Sequence, residues 1–315
     1  MRKLSLNLFY FLIPIILIIG IVPVDKRAKY VGLKDDCSSR GTWMHDRVYT
    51  NNTPTDIVFI GSSKTINGIN DERINAALAN ETVTNFGYCR FGRNLHYLLL
   101  QELLQQKQPK LLVLEIRESE NRAGHPIFPF LAESKEAILP YPFFNKNVLK
   151  DIWTHLAYKV ELLQEAIYSN ETIEPIRSSN FGYLRAPGNA NLADLNKNKL
   201  KMNSGKDKLT EFEENFHHHF AHHYLKKIAT LCKEKEIELL LLNLPSYGSN
   251  RTNNQDFIRY KDYGRILLPP LEILDNKTNW FDVDHLNEQG AKQLSDWLSI
   301  ELSAIVTNNY NASSY

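Results

Sequence analysis

The stretch Asp56-Ile57-Val58-Phe59-Ile60-Gly61-Ser62-Ser63-Lys64-Thr65 decides the fold. Residues 57–60 are apolar on both alternating faces, the pattern of a strand buried inside a parallel sheet. Gly61 stops the run. Apolar residues then recur at helical spacing through Ile66, Ile69, Ile74 and Leu78, so a strand is followed by a helix over 64–78. The same unit repeats outward. Thr82–Phe86 reads as a strand, Leu95–Gln106 as a helix and Lys110–Ile116 as a buried strand. Phe216–Lys235 reads as a helix, Ile237–Leu244 as a strand stopped by Pro245, Trp280–Val283 as a short fifth strand, and Glu288–Ile305 as a closing helix. Alternating strands and helices predict an α/β domain over 55–308, three layers deep, with a five-stranded parallel sheet.

Two regions break the rhythm. About 90 residues, 120–212, separate the third strand from the next helix and read as an insertion over one sheet edge. Loops of that length in compact domains usually bind something or cover a site. Aromatic residues including Phe128, Phe130, Tyr141, Phe143, Phe144 and Trp153 give it the means to line a groove. The other region is the N-terminus. Arg2 and Lys3 precede an uncharged stretch from Leu8 to Val24. At about 1.5 Å per residue it is a marginal span of a bilayer core about 30 Å thick. No small-X-small cleavage site follows, so residues 1–25 are expected to be a retained transmembrane helix and 26–54 an irregular juxtamembrane linker. Lys26, Arg27, Lys29 and Lys34 outnumber Arg2 and Lys3, which by charge alone favours a cytoplasmic body.

Ligands of open parallel sheets bind beyond the carboxyl ends of the strands. Those ends collect Gly61-Ser62-Ser63, then Asn85 to Gly92, then Glu115 and Arg117, then Asn243 and Ser246, and finally Asp282 and His285. A serine on a strand-to-helix turn presents Oγ at a helix N-terminus, where free backbone N–H groups can hold an oxyanion. Serine needs a base, and His285 is the one histidine at an expected strand end. Asp282, three residues earlier in the same loop, can orient the imidazole and stabilise its cation.

These residues carry a resemblance. Ile60-Gly61-Ser62-Ser63-Lys64 resembles the first block of the SGNH/GDSL hydrolase superfamily, with Ser63 as nucleophile. Asn85 to Gly92 resembles the second block, whose glycine gives an oxyanion-hole N–H; Gly92 is favoured for it and Gly87 is the alternative. Phe281 to Ala291 resembles the last block and supplies Asp282 and His285. The resemblance implies a flavodoxin-like strand order and ester chemistry without metal or organic cofactor. The third block departs from the pattern. Leu114-Glu115-Ile116-Arg117-Glu118 stands where Gly-X-Asn-Asp is usual, so the oxyanion Asn is missing, with Arg117 one substitute. With the N-terminal span, this is similar to membrane-anchored envelope acyl-transfer proteins, such as those of alginate O-acetylation and teichoic-acid D-alanyl transfer. That resemblance implies a body on the extracytoplasmic side of the cell membrane. It also implies an acylated sugar polymer or small acyl ester as substrate, and a membrane-bound O-acyltransferase as partner. A second reading of the same residues is a catalytically degenerate protein that binds polysaccharide or scaffolds such an acyltransferase.

Other features point elsewhere less strongly. The chain carries 37 basic and 36 acidic residues and a formal charge of +1, which gives no footprint for nucleic acid. Cys37, Cys89 and Cys232 form neither a disulfide framework nor a metal-ligand spacing, and a single disulfide stays open. Lys64-Thr65 lacks the glycines of a P-loop. His217 to His223 holds five histidines, two pairs of them at i, i+4, and reads first as a solvated helix face. Glu115, Glu118 and Glu120 offer a carboxylate pair for glycoside chemistry, but Glu115 and Glu118 read rather as residues held by Arg117, Arg122 or a helix end.

Overall fold

A computed structural model describes residues 2–78, 80–117, 120, 122–138, 145–168, 179–203, 210–249 and 255–312. Glu118, Tyr141, Phe143 and Phe144 lie outside the described residues. In chain order the first elements are α1 (Arg2–Ile21), α2 (Lys26–Val31), α3 (Arg40–Tyr49), β1 (Ile57–Ile60), α4 (Ser63–Gly68), α5 (Asp71–Ala77), β2 (Val83–Asn85), α6 (Arg93–Leu103) and β3 (Leu111–Ile116). The insertion carries α7 (Phe128–Leu131), α8 (Ser134–Ile138), α9 (Val148–Tyr168) and α10 (Leu192–Asn203). Then come α11 (Glu211–Glu234), β4 (Glu238–Asn243), α12 (Gln255–Ile258), β5 (Arg265–Leu267), α13 (Leu271–Leu274), a 3-10 turn at Lys277–Asn279, and α14 (Glu288–Ala312).

The five strands form one all-parallel sheet in the order β2-β1-β3-β4-β5. Successive side chains alternate between two apolar layers. Val58, Ile60, Leu112, Leu114, Leu239 and Leu241 face α3, α6 and α11, through Trp43, Leu95, Leu99, Tyr224 and Ile228. Ile57, Phe59, Leu111, Val113, Leu240 and Leu242 face α5, α13 and α14, through Ile74, Ile273, Leu294, Leu298 and Leu302. Helices therefore cover both faces. The parallel strands bring all carboxyl ends to one edge, and the order reverses between β1 and β3, the switch point at which such sheets usually bind ligands.

Three expectations need correction. The expected fifth strand at Trp280–Val283 is not in the sheet. Trp280 makes only an isolated antiparallel bridge to Leu286, with its indole N–H donated to the Leu274 carbonyl at 2.9 Å. The fifth strand is Arg265–Leu267, an edge strand of three residues with an exposed arginine, whose apolar run Ile266 to Leu268 is too short to set it apart from a loop. The expected helix over 64–78 is two helices, because Asn70 breaks it and caps α5 by accepting from the Arg73 N–H at 3.0 Å.

Residues 26–54 are the third correction, since they hold two helices built into the domain rather than an irregular linker. Arg40 and Arg47 are buried, and both work as caps on backbone carbonyls. Arg40 donates to Gly87 O at 2.8 Å and to the carbonyls of Asn85 and Gly182. Arg47 donates to Thr53 O and Pro54 O at 2.8 and 2.7 Å. Trp43 packs on Phe86, and Cys37 is bonded to Cys89 in a disulfide. The two arginines thus satisfy carbonyls of the segment before β1, the end of β2 and the insertion.

Among the described residues no helix is long and apolar enough to cross a membrane, so the transmembrane expectation for residues 8–24 gains no support. The C-terminal end of α1 docks on the body, with Gly20 O accepting from Ser134 Oγ at 2.6 Å and Lys159 Nζ at 2.9 Å. Its side chains Phe9, Phe11, Leu17, Ile18 and Ile21 are exposed.

Candidate functional site

The site is built at the carboxyl edge of β1. Gly61 leaves the strand where a Cβ would overlap Thr65 Oγ1 and the Glu115 side chain, so only glycine fits. Ser62 caps α4 by accepting from the Lys64 N–H at 3.1 Å. Ser63 is the first helical residue, and its own N–H has no intramolecular partner among the described residues.

Ser63 Oγ lies 2.8 Å from His285 Nε2, across 222 residues of sequence. His285 Nδ1 lies 2.9 Å from both oxygens of Asp282. The carboxylate therefore fixes the tautomer that carries hydrogen on Nδ1 and leaves Nε2 as acceptor for the serine proton. Asp282 also holds its own loop, accepting from the Asp284 and His285 N–H groups at 2.8 Å each. Asn287 anchors the loop behind, donating to Thr278 O at 2.8 Å and capping Gly290 N–H of α14 at 3.0 Å. The structure thus brings Ser63, His285 and Asp282 into one line.

The two glycines proposed for an oxyanion hole fare differently. The Gly87 N–H is already donated to Asn85 Oδ1 at 2.9 Å, so the alternative donor is occupied. Gly92 caps α6 in extended backbone and leaves its N–H without an intramolecular partner among the described residues. A Cβ on Gly92 would stand 2.4 Å from His125 Cβ, which explains the glycine there.

Glu115 and Arg117 stand at the carboxyl end of β3. Glu115 is buried and accepts from Ser62 N–H at 2.6 Å, Ser62 Oγ at 2.8 Å, Thr65 Oγ1 at 2.8 Å and Arg117 Nε at 3.0 Å. Burial alone would raise its carboxyl, but the Arg117 guanidinium, the Ser62 N–H, Lys64 and Thr65 outweigh burial and hold it below the usual carboxylate range. A carboxylate so fully engaged is a brace for the Ser62–Ser63 turn, not a proton donor. Arg117 also donates to Ser62 Oγ at 2.7 Å and stacks on the Phe91 ring at 4.2 Å.

Three residues here had no role in the sequence reading. Lys64 Nζ donates to Ser246 Oγ at 2.8 Å and lies 3.5 Å from Asp284, and Ser246 Oγ donates to Asp284. Burial lowers the Lys64 ammonium from its ordinary value and Arg117 adds to this, with Glu115 and Asp284 offsetting part. Nothing in the local sequence pairs these residues. The only signal was the second acid in Asp282-Val283-Asp284-His285.

The remaining candidates separate from the site. Glu120 is buried against Arg93 on the other sheet face. In the histidine cluster His217 and His219 are exposed, but His218 is buried, so the solvated-face expectation holds only in part. Among the described residues no group of three or more His, Cys, Asp or Glu is placed to hold a metal ion.

His125, packed on Gly92, carries a pH dependence. Its Nδ1 accepts from the Ile127 N–H at 3.2 Å while Nε2 lies 2.7 Å from Cys89 O, an arrangement that suits the neutral ring. Burial pushes it down to about 4, only partly offset by the bond to Cys89. Unfolded, it would titrate near 6.5. Between about 6.5 and about 4 the unfolded chain binds the extra proton, so stability is full above this window and falls as pH drops through it. Thermal unfolding from pH 7.5 to 4 should show Tm falling, with a shallower fall in His125→Gln. Equal slopes for the two proteins would contradict the assignment.

No protein-family model matches the chain, and a search of curated proteins finds no match.

Proposed function

We propose that the chain is a serine esterase or O-acyltransferase of the SGNH/GDSL type, with the flavodoxin-like fold of that superfamily, acting on acyl groups of a cell-envelope polysaccharide or glycoconjugate. The observation that carries the reading is the line Ser63 Oγ–His285–Asp282 at 2.8 and 2.9 Å, with the serine at a helix N-terminus. His285 Nε2 takes the Ser63 proton as Oγ attacks the ester carbonyl, and Asp282 stabilises the imidazolium. The N–H groups of Ser63 and Gly92 receive the oxyanion. His285 then protonates the leaving alcohol. Water or a sugar hydroxyl, deprotonated by the same nitrogen, attacks the acyl-enzyme and returns the proton to Ser63. Arg117, beside Ser62, stands in for the missing third-block Asn as an additional cationic donor.

In this reading the body lies on the extracytoplasmic side, attached to the membrane through α1, with a membrane-bound O-acyltransferase as partner. Two observations support the location: the exposed apolar side chains of α1, and the Cys37–Cys89 disulfide, which fits an oxidising compartment. Thiol titration of the denatured, unreduced protein should find one free cysteine, Cys232. Three free thiols in protein recovered from its native compartment would speak for a cytoplasmic body.

The test is release of p-nitrophenol from p-nitrophenyl acetate, with and without an oligosaccharide acceptor. The expected result is release by the unaltered chain and none above background by Ser63→Ala, with acetylated oligosaccharide formed if transfer competes with hydrolysis. Equal rates for the two proteins would transfer the chain to the degenerate, scaffolding reading.

A further inference from the structure

The residue after Ser63 is tied to the residue before His285. Lys64 reaches from the first turn of α4 to Ser246, in the loop after β4, at 2.8 Å. Ser246 Oγ donates to Asp284, and the Lys64 ammonium lies 3.5 Å from the same carboxylate. Three chain segments that share no covalent neighbourhood meet at this point. A second strap lies alongside, with the Tyr247 N–H donating to Val283 O at 2.8 Å. The Lys64 side chain is 9% exposed and that of Asp284 50%, so the bridge is buried at the lysine end and open to solvent at the carboxylate end.

We infer that Lys64, Ser246 and Asp284 form a positioning bridge that holds the His285 loop at reacting distance from Ser63. The inference rests on the Ser63–His285 reading given above. Neither the α4 turn nor the Asp282–His285 loop can shift without stretching this bridge, because each contributes a residue to it that is adjacent to a reacting group. The brace on the other side of the serine, Ser62 with Glu115 and Arg117, fixes only the turn. Among the described residues the other holds on the His285 loop, the Tyr247–Val283 strap and the Asn287 anchor, do not reach α4, so the bridge is what ties the base to the serine turn. Misplacement by about 1 Å in such a site costs on the order of 100-fold in rate. Lys64 thus touches no substrate; it acts through Asp284 and Ser246.

The test compares Lys64→Met, Lys64→Arg, Ser246→Ala and Asp284→Asn by kinetics and by crystal structure. Lys64→Met and Asp284→Asn should each lower kcat for an aryl ester about 10- to 100-fold with KM nearly unchanged. The double variant should be no worse than the poorer single, since both break one bridge. Lys64→Arg should recover part of the loss, and Ser246→Ala, which leaves the charge pair, should lose least. In crystals of Lys64→Met, the Ser63 Oγ to His285 Nε2 separation should exceed about 3.5 Å, beyond hydrogen-bond reach. A separation unchanged from 2.8 Å overturns the bridge whether or not the unaltered chain cleaves esters, and an active chain with unchanged kcat in Lys64→Met also overturns it. Failure of the unaltered chain to cleave any ester, with the separation lengthened, would instead leave the bridge standing and remove the catalytic reading.

Discussion

Replacing His285 by alanine is expected to lower kcat for ester cleavage by on the order of 10⁵-fold or more, while the protein stays folded. The magnitude follows from what the imidazole does. A serine hydroxyl at neutral pH is almost wholly protonated, so without a base at Nε2 the attack has no route for its proton. His285 is only partly buried and packs no core, so its loss should leave Tm within a few degrees. Asp282→Asn should cost less than the roughly 10⁴-fold known where such a carboxylate is sealed from water. The Asp282 side chain is 44% exposed, and solvent screens much of its charge. Steady-state rates on one aryl ester for the two variants check both statements. Equal losses would mean that the carboxylate charge matters as much as the base itself, since the amide oxygen of Asn can still accept from the Asp284 and His285 N–H groups.

The largest effect on stability is expected from Glu120→Ala. Arg93 and Glu120 form an ion pair whose side chains are 0% and 1% exposed, with Tyr260 Oη 3.0 Å from the carboxylate. The guanidinium also donates to Glu115 O at 2.8 Å, so the pair ties α6 to the end of β3. Removing the acid leaves a cation buried without its partner, which costs about 3–5 kcal/mol. For a domain of this size Tm should fall by roughly 5–15 °C. Arg93→Met combined with Glu120→Leu should recover most of that loss, because the cost lies in the unpaired charge and not in the absence of the pair. Thermal melts by circular dichroism decide it; a single variant that melts with the unaltered chain would show that water reaches Arg93.

Much of the site was legible because its chemistry needs short local patterns. Ile57 to Ser63 is a strand, a turn and a helix start in seven residues, and Asp282 to His285 is a self-closing loop in four. The central strands β1, β3 and β4 were legible because burial on both faces demands apolar runs, as in Leu111–Leu114. The edge strand Arg265–Leu267 was not, because its apolar run, Ile266 to Leu268, is only three residues long and stops at Pro269. Long-range polar contacts were invisible for a different reason. Arg40 caps carbonyls 45, 47 and 142 residues away, and Lys64 meets Ser246 at a separation of 182. A side chain's composition does not state its partner, so the roles of Arg40 and Arg47 were invisible and residues 26–54 read as a linker. The disulfide was open for the same reason, since three cysteines allow several pairings and only the fold brings Cys37 to Cys89.

The central claim is that Ser63 is a nucleophile activated by His285, and covalent labelling tests it without knowledge of the natural ester. The folded chain is treated with a fluorophosphonate, digested, and mapped by mass spectrometry. The account predicts a single adduct on Ser63, absent from His285→Ala and from heat-unfolded protein. No adduct on the folded chain, or an adduct that forms equally well without His285, would contradict it.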